Sequence, residues 1–251
     1  MTFDTYGLVT IAITFFLAGG IKGVIGLGLP LISLGVLTAA FDLTTAMALI
    51  IVPAFVTNVW QAVVGGNGLV IIKRLWPFLC LATITIWLGA IALTTINTLY
   101  LSMLLGALLL AYASLNFFGL RFTIVPKHEK WSGFFMGIAN GFLTGMTGAF
   151  AMPGVIYLQA IGLPRDMLVQ AMGMLFLLST VGLTIALQSN NLLSSELTTI
   201  SVFAVVPALL GMTIGQRIRK LLSEQKFKTV VSVSIFVLGA FIIIKAYSSV
   251  H

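Results

Sequence analysis

The sequence predicts an all-α polytopic membrane protein built from two inverted repeats of five helical segments each. Three observations lead to this prediction: the composition, a duplicated glycine motif and the distribution of basic residues. Of the 251 residues, 59% are hydrophobic and 8% are charged, and the mean hydropathy is +1.14. A soluble domain carries about 25% charged residues. Because a chain of this size cannot hide so much apolar surface from water, its solvent must be lipid.

Polar and Pro/Gly breaks divide the chain into ten apolar segments, each of which predicts a helix. A helix that spans the membrane needs about 20 apolar residues. The second and seventh segments have 15 and 12 residues, and each follows a glycine cluster, so we expect a half-helix or a re-entrant leg at both places. The predicted segments are 5–22, 26–40, 43–64, 75–94, 98–119, 131–147, 150–161, 167–188, 197–216 and 228–247.

The order of sequence features in the first half recurs in the second half. Residues 19–26 read GGIKGVIG and residues 141–148 read GFLTGMTG, so both follow the pattern G-x-x-x-G-x-x-G at a spacing of 122 residues. A proline follows each motif within five residues, at Pro30 and Pro153, and each short segment ends near an aspartate. Small residues at this spacing are common in membrane helices, but the repeated order of glycines, proline and acid indicates an internal duplication.

Basic residues concentrate in alternate loops and predict the orientation of the chain. These residues are Lys73 and Arg74; Arg121, Lys127 and Lys130; and Arg217, Arg219, Lys220, Lys226 and Lys228. By the positive-inside rule these loops are cytoplasmic, which puts both termini outside. An odd number of segments per half then gives the two halves opposite orientations. We therefore predict a first transmembrane repeat over 1–120, a cytoplasmic linker over 121–130 and a second transmembrane repeat over 131–251.

The two glycine clusters predict an anion site. Backbone that is unwound in hydrocarbon leaves N–H and C=O groups unpaired, which is tolerated only where protein, a cavity or a ligand satisfies them. Pro30 and Pro153 suit the first turn of the following helix, whose free N–H groups and positive dipole end attract anions. Two such ends, brought together by a pseudo-twofold axis, would form one site with little side-chain charge. The alternative is close helix packing through small residues.

Several polar side chains near these clusters are candidates for anion contact. Lys22 would supply a positive charge, or it would snorkel to the cytoplasmic face. Thr144 and Thr147 would supply neutral donors from the second repeat. Asn58 and Gln170, of second rank, lie inside apolar helices, where an amide either donates to an anion or joins helices. The full predicted set is Lys22, Gly23, Gly26, Gly28, Pro30, Asn58, Thr144, Gly145, Thr147, Gly148, Pro153 and Gln170.

The side chains of an enzyme are missing from the apolar segments. No Asp, Glu or His falls in the middle of an apolar run, so the sequence shows neither a nucleophile paired with a base nor a set of metal ligands. We therefore expect no catalytic residue, no metal, no cofactor and no enzymatic activity. The net charge of +7 reflects the loop pattern described above, and no nucleic-acid partner is expected.

The sequences around both clusters resemble the TauE/SafE family of sulfite exporters. The stretches that carry the resemblance are GGIKGVIGLGLPLISLGVL at 19–37 and GIANGFLTGMTGAFAMPGVIYLQAIGLP at 137–164, followed by FDLTTAMA and RDMLVQAMG. The resemblance covers nearly the whole chain. It implies that small sulfur-containing anions, such as sulfite or organosulfonates, cross the cell inner (plasma) membrane. The second cluster continues GAFAMP and is poorer in glycine than GLGLP, so the two halves need not contribute equally.

These observations predict a secondary transporter that exports small sulfur-containing anions by alternating access, in which one inverted half rocks against the other. With a negative cell interior, each negative charge that leaves gains about 2.3 kcal/mol per 100 mV, so a divalent anion could exit without a coupling ion. The sequence leaves open an anion channel, a non-transporting scaffold subunit, and an oligomer. The expected partners are the anion and the lipid bilayer.

Overall fold

The computed structural model describes residues 3–120, 122–219 and 224–250, in which all regular secondary structure is helical. The helices are α1 (Thr5–Ile25), α2 (Leu29–Ala40), α3 (Leu43–Val63), α4 (Gly68–Ile84), α5 (Ile86–Thr95), α6 (Thr98–Phe117), α7 (Glu129–Thr147), α8 (Gly154–Ala160), α9 (Arg165–Ser189), α10 (Ser195–Ile218) and α11 (Glu224–Val250). A 3-10 turn over Pro126–His128 precedes α7. Seven helical stretches in the described ranges are long and apolar enough to cross a membrane. The predicted all-α, multi-pass fold is therefore confirmed.

The two short segments are also found. Helix α2 has 12 residues and helix α8 has seven, whereas a helix that spans a bilayer needs about 20. Each follows an interruption at the end of a longer helix, α1 in the first case and α7 in the second. The prediction that the two halves have opposite orientations stays a prediction, as does the placement of both termini outside. Of the basic residues that predicted the orientation, Arg121 and Lys220 lie outside the described residues.

The fourth predicted segment differs from the structure in two ways. It begins at Gly68 rather than at residue 75, so Lys73 and Arg74 lie inside α4 and not in a loop. The apolar run underestimated the helix because long basic side chains can extend from a helix end to a polar environment while the backbone stays helical. The segment is also divided in two at Thr85.

The Thr85 side chain makes two hydrogen bonds at the point of division. The Thr85 hydroxyl lies 2.8 Å from the carbonyl oxygen of Leu81 and 3.1 Å from that of Ile138. A threonine hydroxyl that bonds to the carbonyl four residues earlier competes with the helix ladder and bends the helix. The same side chain joins this bend to α7, because Ile138 belongs to that helix.

The chain forms two compact units, and neither corresponds to one half of the sequence. The first unit consists of Met1–Pro53, Thr98–Gly119 and Leu193–His251, and the second consists of Ala54–Asn97 and Leu120–Leu192. The boundary between the units therefore falls inside α3, immediately after Pro53. Each unit takes helices from both predicted repeats. The repeat boundaries themselves, 1–120 and 131–251, stay predictions.

In the first unit, α1 packs against α10 with the two backbones in contact. A Cβ atom on Gly19 would overlap the carbonyl oxygen of Ala208, and one on Gly23 would overlap the carbonyl oxygen of Met212. Any larger residue would push the helices apart, since small residues are what allow such close approach. The first two glycines of the motif in this unit therefore have a packing role.

In the second unit, α7 packs against α4 and α5 in the same manner. A Cβ atom on Gly141 would lie 2.5 Å from the carbonyl oxygen of Ala82, and one on Gly145 would overlap the carbonyl oxygen of Ile86. These pairs correspond to the two pairs of the first unit when residues are matched at spacings of 122 on the motif side and 126 on the other. The two motifs thus make equivalent contacts, each within its own unit.

Candidate functional site

The first break, residues 26–28, separates α1 from α2 and belongs to the first unit. Gly26 has φ +77° and its N–H donates to the carbonyl oxygen of Lys22 at 2.7 Å. Gly28 has φ +111° and stands directly before α2, whose second residue is Pro30. Positive φ strongly favours glycine. The backbone conformation therefore requires both glycines, and Pro30 occupies the first turn as predicted.

Lys22 lies in the last turn of α1 and is only 3% exposed. A lysine that snorkels must bring its ammonium group to water, so this burial argues against the snorkelling alternative. A cation in the last turn interacts favourably with the negative end of the helix dipole. A charge held inside a membrane helix marks a functional site by default. Contact between Lys22 and an anion stays a prediction.

The second break, residues 148–153, separates α7 from α8 and belongs to the second unit. It begins with the same kind of cap, because Gly148 has φ +72° and its N–H donates to the carbonyl oxygen of Thr144 at 2.7 Å. Pro153 follows a cis Met152–Pro153 bond and stands one residue before α8. Pro153 belongs to the turn before the helix, and its fixed φ is accommodated there. The prediction that Pro153 lies in the first turn of the helix is therefore wrong.

Polar side chains of α7 bond to the backbone of the second break. The Thr144 hydroxyl donates to the carbonyl oxygen of Ala149 at 3.3 Å, and the Ala149 N–H donates to the Thr147 hydroxyl oxygen at 3.3 Å. Thr147 in turn donates to a carbonyl one turn back in α7. The N–H of Gly154 donates to Oδ1 of Asn140 at 2.8 Å. The two threonines predicted as anion donors thus use their hydroxyl hydrogens within the chain.

The second break nevertheless retains buried donors. Among the described residues, no acceptor is found for the backbone N–H groups of Phe150 and Ala151, which are at most 8% exposed. Nδ2 of Asn140 likewise has no hydrogen-bond partner there, and this side chain is fully buried. Leaving a buried donor unsatisfied costs about 1–3 kcal/mol. Donors of this kind at one break therefore indicate a place where a ligand or water is bound.

Asn140 has one of these buried donors and is not among the residues predicted from the sequence. It lies in the stretch GIANGFLTG, four residues before Thr144 and seven before Thr147. Positions i, i+4 and i+7 share one face of a helix, so this spacing was the available signal. Three polar side chains on one face of the apolar C-terminal part of α7 predict a polar surface toward the interior of the helix bundle.

The two amides of second rank both lie in the second unit. Asn58 is fully buried in the C-terminal half of α3. Gln170 lies in α9, where its Nε2 donates to the carbonyl oxygen of Ala62 and its Oε1 accepts from the N–H of Asn67, both at 2.9 Å. Gln170 therefore joins α9 to the end of α3, and its contact with an anion stays a prediction.

An ion pair connects α4 to α7 beside the short helix α8. The Arg74 guanidinium bonds to both carboxylate oxygens of Glu129, at 2.7 and 2.8 Å. The hydroxyl of Tyr157, which lies in α8, donates to the carbonyl oxygen of Glu129 at 3.3 Å. These contacts hold α8 in place within the second unit. In the described part of the chain, no group of three or more His, Cys, Asp or Glu side chains is arranged to hold a metal ion.

Most of the chain matches one known family. Residues 11–242 match the family described as sulfite exporter TauE/SafE. Neither the curated proteins nor the solved structures searched gave a match. The matched range contains both glycine breaks and extends from α1 into α11. The chain therefore belongs to the sulfite exporter TauE/SafE family, whose members are membrane transporters.

Proposed function

We propose that the protein is a secondary transporter that exports small sulfur-containing anions, sulfite or an organosulfonate, across the cell inner membrane by alternating access. The observation that carries the proposal is the set of buried donors without acceptors at the second break, in a member of a sulfite exporter family. Sulfite and sulfonate groups present several acceptor oxygens at once. Successive backbone N–H groups and a neutral amide suit such a ligand, as they do in other anion-binding concavities.

The first break has a charged side chain beside it. Lys22 provides a positive charge close to the break, in a side chain shielded from water. The α2 helix, which begins after Gly28, directs its first N–H groups and the positive end of its dipole toward the break. Apart from the hydroxyls of Thr144 and Thr147, which donate within the chain, the residues predicted from the sequence remain the proposed anion contacts, and Asn140 is added to them below. Interrupted helices in both halves of a chain are typical of substrate sites in secondary transporters.

Alternating access is the proposed mechanism because it uses an internal repeat. Two features support a repeat in this chain. Both breaks begin with a glycine cap of nearly identical dihedral angles, at Gly26 and Gly148. Equivalent glycines also contact equivalent backbone positions in each unit. Export is favoured by the membrane potential, because each negative charge that leaves gains about 2.3 kcal/mol per 100 mV.

The test is efflux of radiolabelled sulfite from liposomes that contain the purified protein, under a valinomycin-imposed potassium potential and without oxygen. We expect saturable efflux that accelerates when the lumen is negative and that small sulfonates inhibit. Liposomes without protein are the control. An absence of flux for every anion tested would overturn the proposal and favour a scaffold role. Unitary currents in a planar bilayer would show a channel and overturn alternating access.

A further inference from the structure

We propose that Asn140 is an anion-contact residue of the second break, and that its Nδ2 donates a hydrogen bond to an oxygen of the transported sulfite or sulfonate. The inference rests on the proposed function, because it assigns a further residue to the same anion. Asn140 lies in the middle of α7, 14 residues before Gly154. Its side chain is fully buried, and its role differs from those of the two threonines on the same helix face.

The orientation of the amide follows from its bond to the backbone. Gly154 can only donate through its N–H, so the atom that it contacts at 2.8 Å must be the amide oxygen of Asn140. This bond determines which end of the amide is which, an assignment that otherwise has to be inferred. Nδ2 is then the other end of the amide, and it has no hydrogen-bond partner among the described residues. The amide therefore has its acceptor engaged and both donor hydrogens available.

Gly154 makes this arrangement possible. A Cβ atom at position 154 would lie 2.6 Å from Oδ1 of Asn140 and 2.8 Å from Cδ2 of Leu175. Any side chain there would displace the amide from the start of α8. Glycine leaves the space in which the amide of Asn140 reaches the backbone. The position is thus built for the amide and not merely tolerant of it.

The surroundings of Asn140 favour an anion over other ligands. The amide bonds to Gly154, directly after the break that contains the unpaired N–H groups of Phe150 and Ala151. All of these groups are donors, and the neighbouring threonine hydroxyls already donate to carbonyls. A cation requires oxygen acceptors instead. A small oxyanion accepts from donors on one side without needing a charged partner at this break.

The substitution Asn140→Asp removes the proposed donor but keeps an oxygen for the bond from Gly154. An aspartate keeps an oxygen for the Gly154 N–H, but it replaces the Nδ2 donor with a charged acceptor that repels an anion. We expect the KM for sulfite efflux to rise about 100-fold, because hydrogen bonds to charged groups are worth about 1.5–3 kcal/mol and each tenfold change corresponds to about 1.4 kcal/mol. A carboxylate buried at this position also costs stability, so the thermal unfolding temperature without anion should fall as well, and the Kd of the folded protein for sulfite is the readout that reports the contact. Asn140→Leu, which removes both bonds, should impair both affinity and stability.

The matched control is Asn190→Asp. Asn190 caps the end of α9, and its Nδ2 donates to the carbonyl oxygen of Ala186 at 2.7 Å. The substitution makes the same chemical change and adds the same charge elsewhere in the second unit. We expect its KM to stay within about twofold of the wild type, because Asn190 is not among the proposed anion contacts. A KM increase in Asn190→Asp equal to that in Asn140→Asp would show a general charge effect and overturn the inference.

Binding of sulfite to the detergent-purified protein, measured by titration calorimetry, distinguishes the two ways of failing. If wild-type protein moves sulfite but Asn140→Asp has unchanged KM and Kd, the inference is overturned and the proposed function stands. If wild-type protein binds sulfite but transports nothing, the proposed function fails, while a raised Kd in Asn140→Asp still supports the contact. If wild-type protein neither binds nor transports any sulfur anion, both are overturned.

Discussion

At the first break, two glycines with positive φ separate the helices, and a buried lysine lies in the turn before them. At the second break, side chains of α7 bond to the backbone that separates the helices. Thr144 occupies the position equivalent to Lys22, since the two are 122 residues apart. The helix caps are the same, but the breaks differ in length, with three residues in the first and six in the second, and in the side chains beside them. A second buried lysine would add the high cost of another charge inside the membrane. The first break thus has a buried lysine beside it, and the second has neutral polar side chains.

The largest effect is expected for loss of the buried lysine beside the first break. Replacing Lys22 with methionine removes the only charge that either glycine motif contains. We expect the sulfite efflux rate at subsaturating concentration to fall at least about 100-fold, because charge-assisted hydrogen bonds to an anion are lost. The measurement is the same liposome assay.

The control for this variant is Lys245→Met. Lys245 also lies in an apolar helix, α11, but it is exposed and its Nζ donates to the carbonyl oxygen of Ala39 at 2.7 Å. Its loss should leave efflux within about twofold of the wild type, since surface substitutions are usually mild. An unchanged rate and affinity in Lys22→Met would remove Lys22 from the proposed contacts.

The second effect concerns the close helix packing that the two glycine motifs share. Gly19→Ala should destabilise the protein by about 1–3 kcal/mol, the usual cost of overpacking, because the new Cβ overlaps the carbonyl oxygen of Ala208. Its equivalent, Gly141→Ala, should cost a similar amount. Thermal unfolding in detergent measures both. The neighbouring Gly20→Ala is the control, since the nearest atom to its Cβ is a carbonyl oxygen 3.7 Å away. Equal destabilisation by Gly19→Ala and Gly20→Ala would contradict the packing role.

The third effect sharpens the role of the second break. Thr144→Val keeps the shape of the side chain and removes the bond to the carbonyl oxygen of Ala149. We expect a stability loss of about 0.5–1.5 kcal/mol, the net value of one hydrogen bond, with the KM for sulfite raised less than about threefold. The measurements are thermal unfolding and efflux kinetics. A KM increase of tenfold or more with unchanged stability would show instead that the hydroxyl contacts the anion, as the sequence predicted.

The smallest effect concerns the ion pair beside α8. Arg74→Gln removes the bonds to Glu129, but the Arg74 side chain is 39% exposed, and exposed ion pairs contribute about 0.2–1 kcal/mol. We expect a small decrease in unfolding temperature that is reduced further at high salt, and little change in efflux. The charge-reversed pair Arg74→Glu with Glu129→Arg should recover part of the loss. A large loss of transport in Arg74→Gln would show that the second break depends on this pair.

Most of the helices were predictable because composition and glycine spacing act locally. The ten segments are found as helices, apart from the earlier start at Gly68, the division at Thr85 and the seventh segment, which is helical only over Gly154–Ala160. The sequence could not show that division, since it involves a hydroxyl bonded to Ile138 in another helix. The pair of breaks was predictable from the sequence. The hydrogen-bond partners of the side chains around them were not. Thr144, Thr147 and Gln170 have donors that already bond to the backbone, and only coordinates reveal such partners.

The sequence by itself determined that the chain is a helical membrane protein with two interrupted helices and a single lysine between their glycines. These properties follow from hydropathy, from the freedom of glycine at positive φ and from the absence of acidic residues in the apolar runs. Tertiary structure decided which helices form each compact unit and which donors remain available. The assignment of Asn140 in particular depends on the Gly154 N–H, 14 residues away, because a buried amide is oriented by whatever partner the fold brings to it.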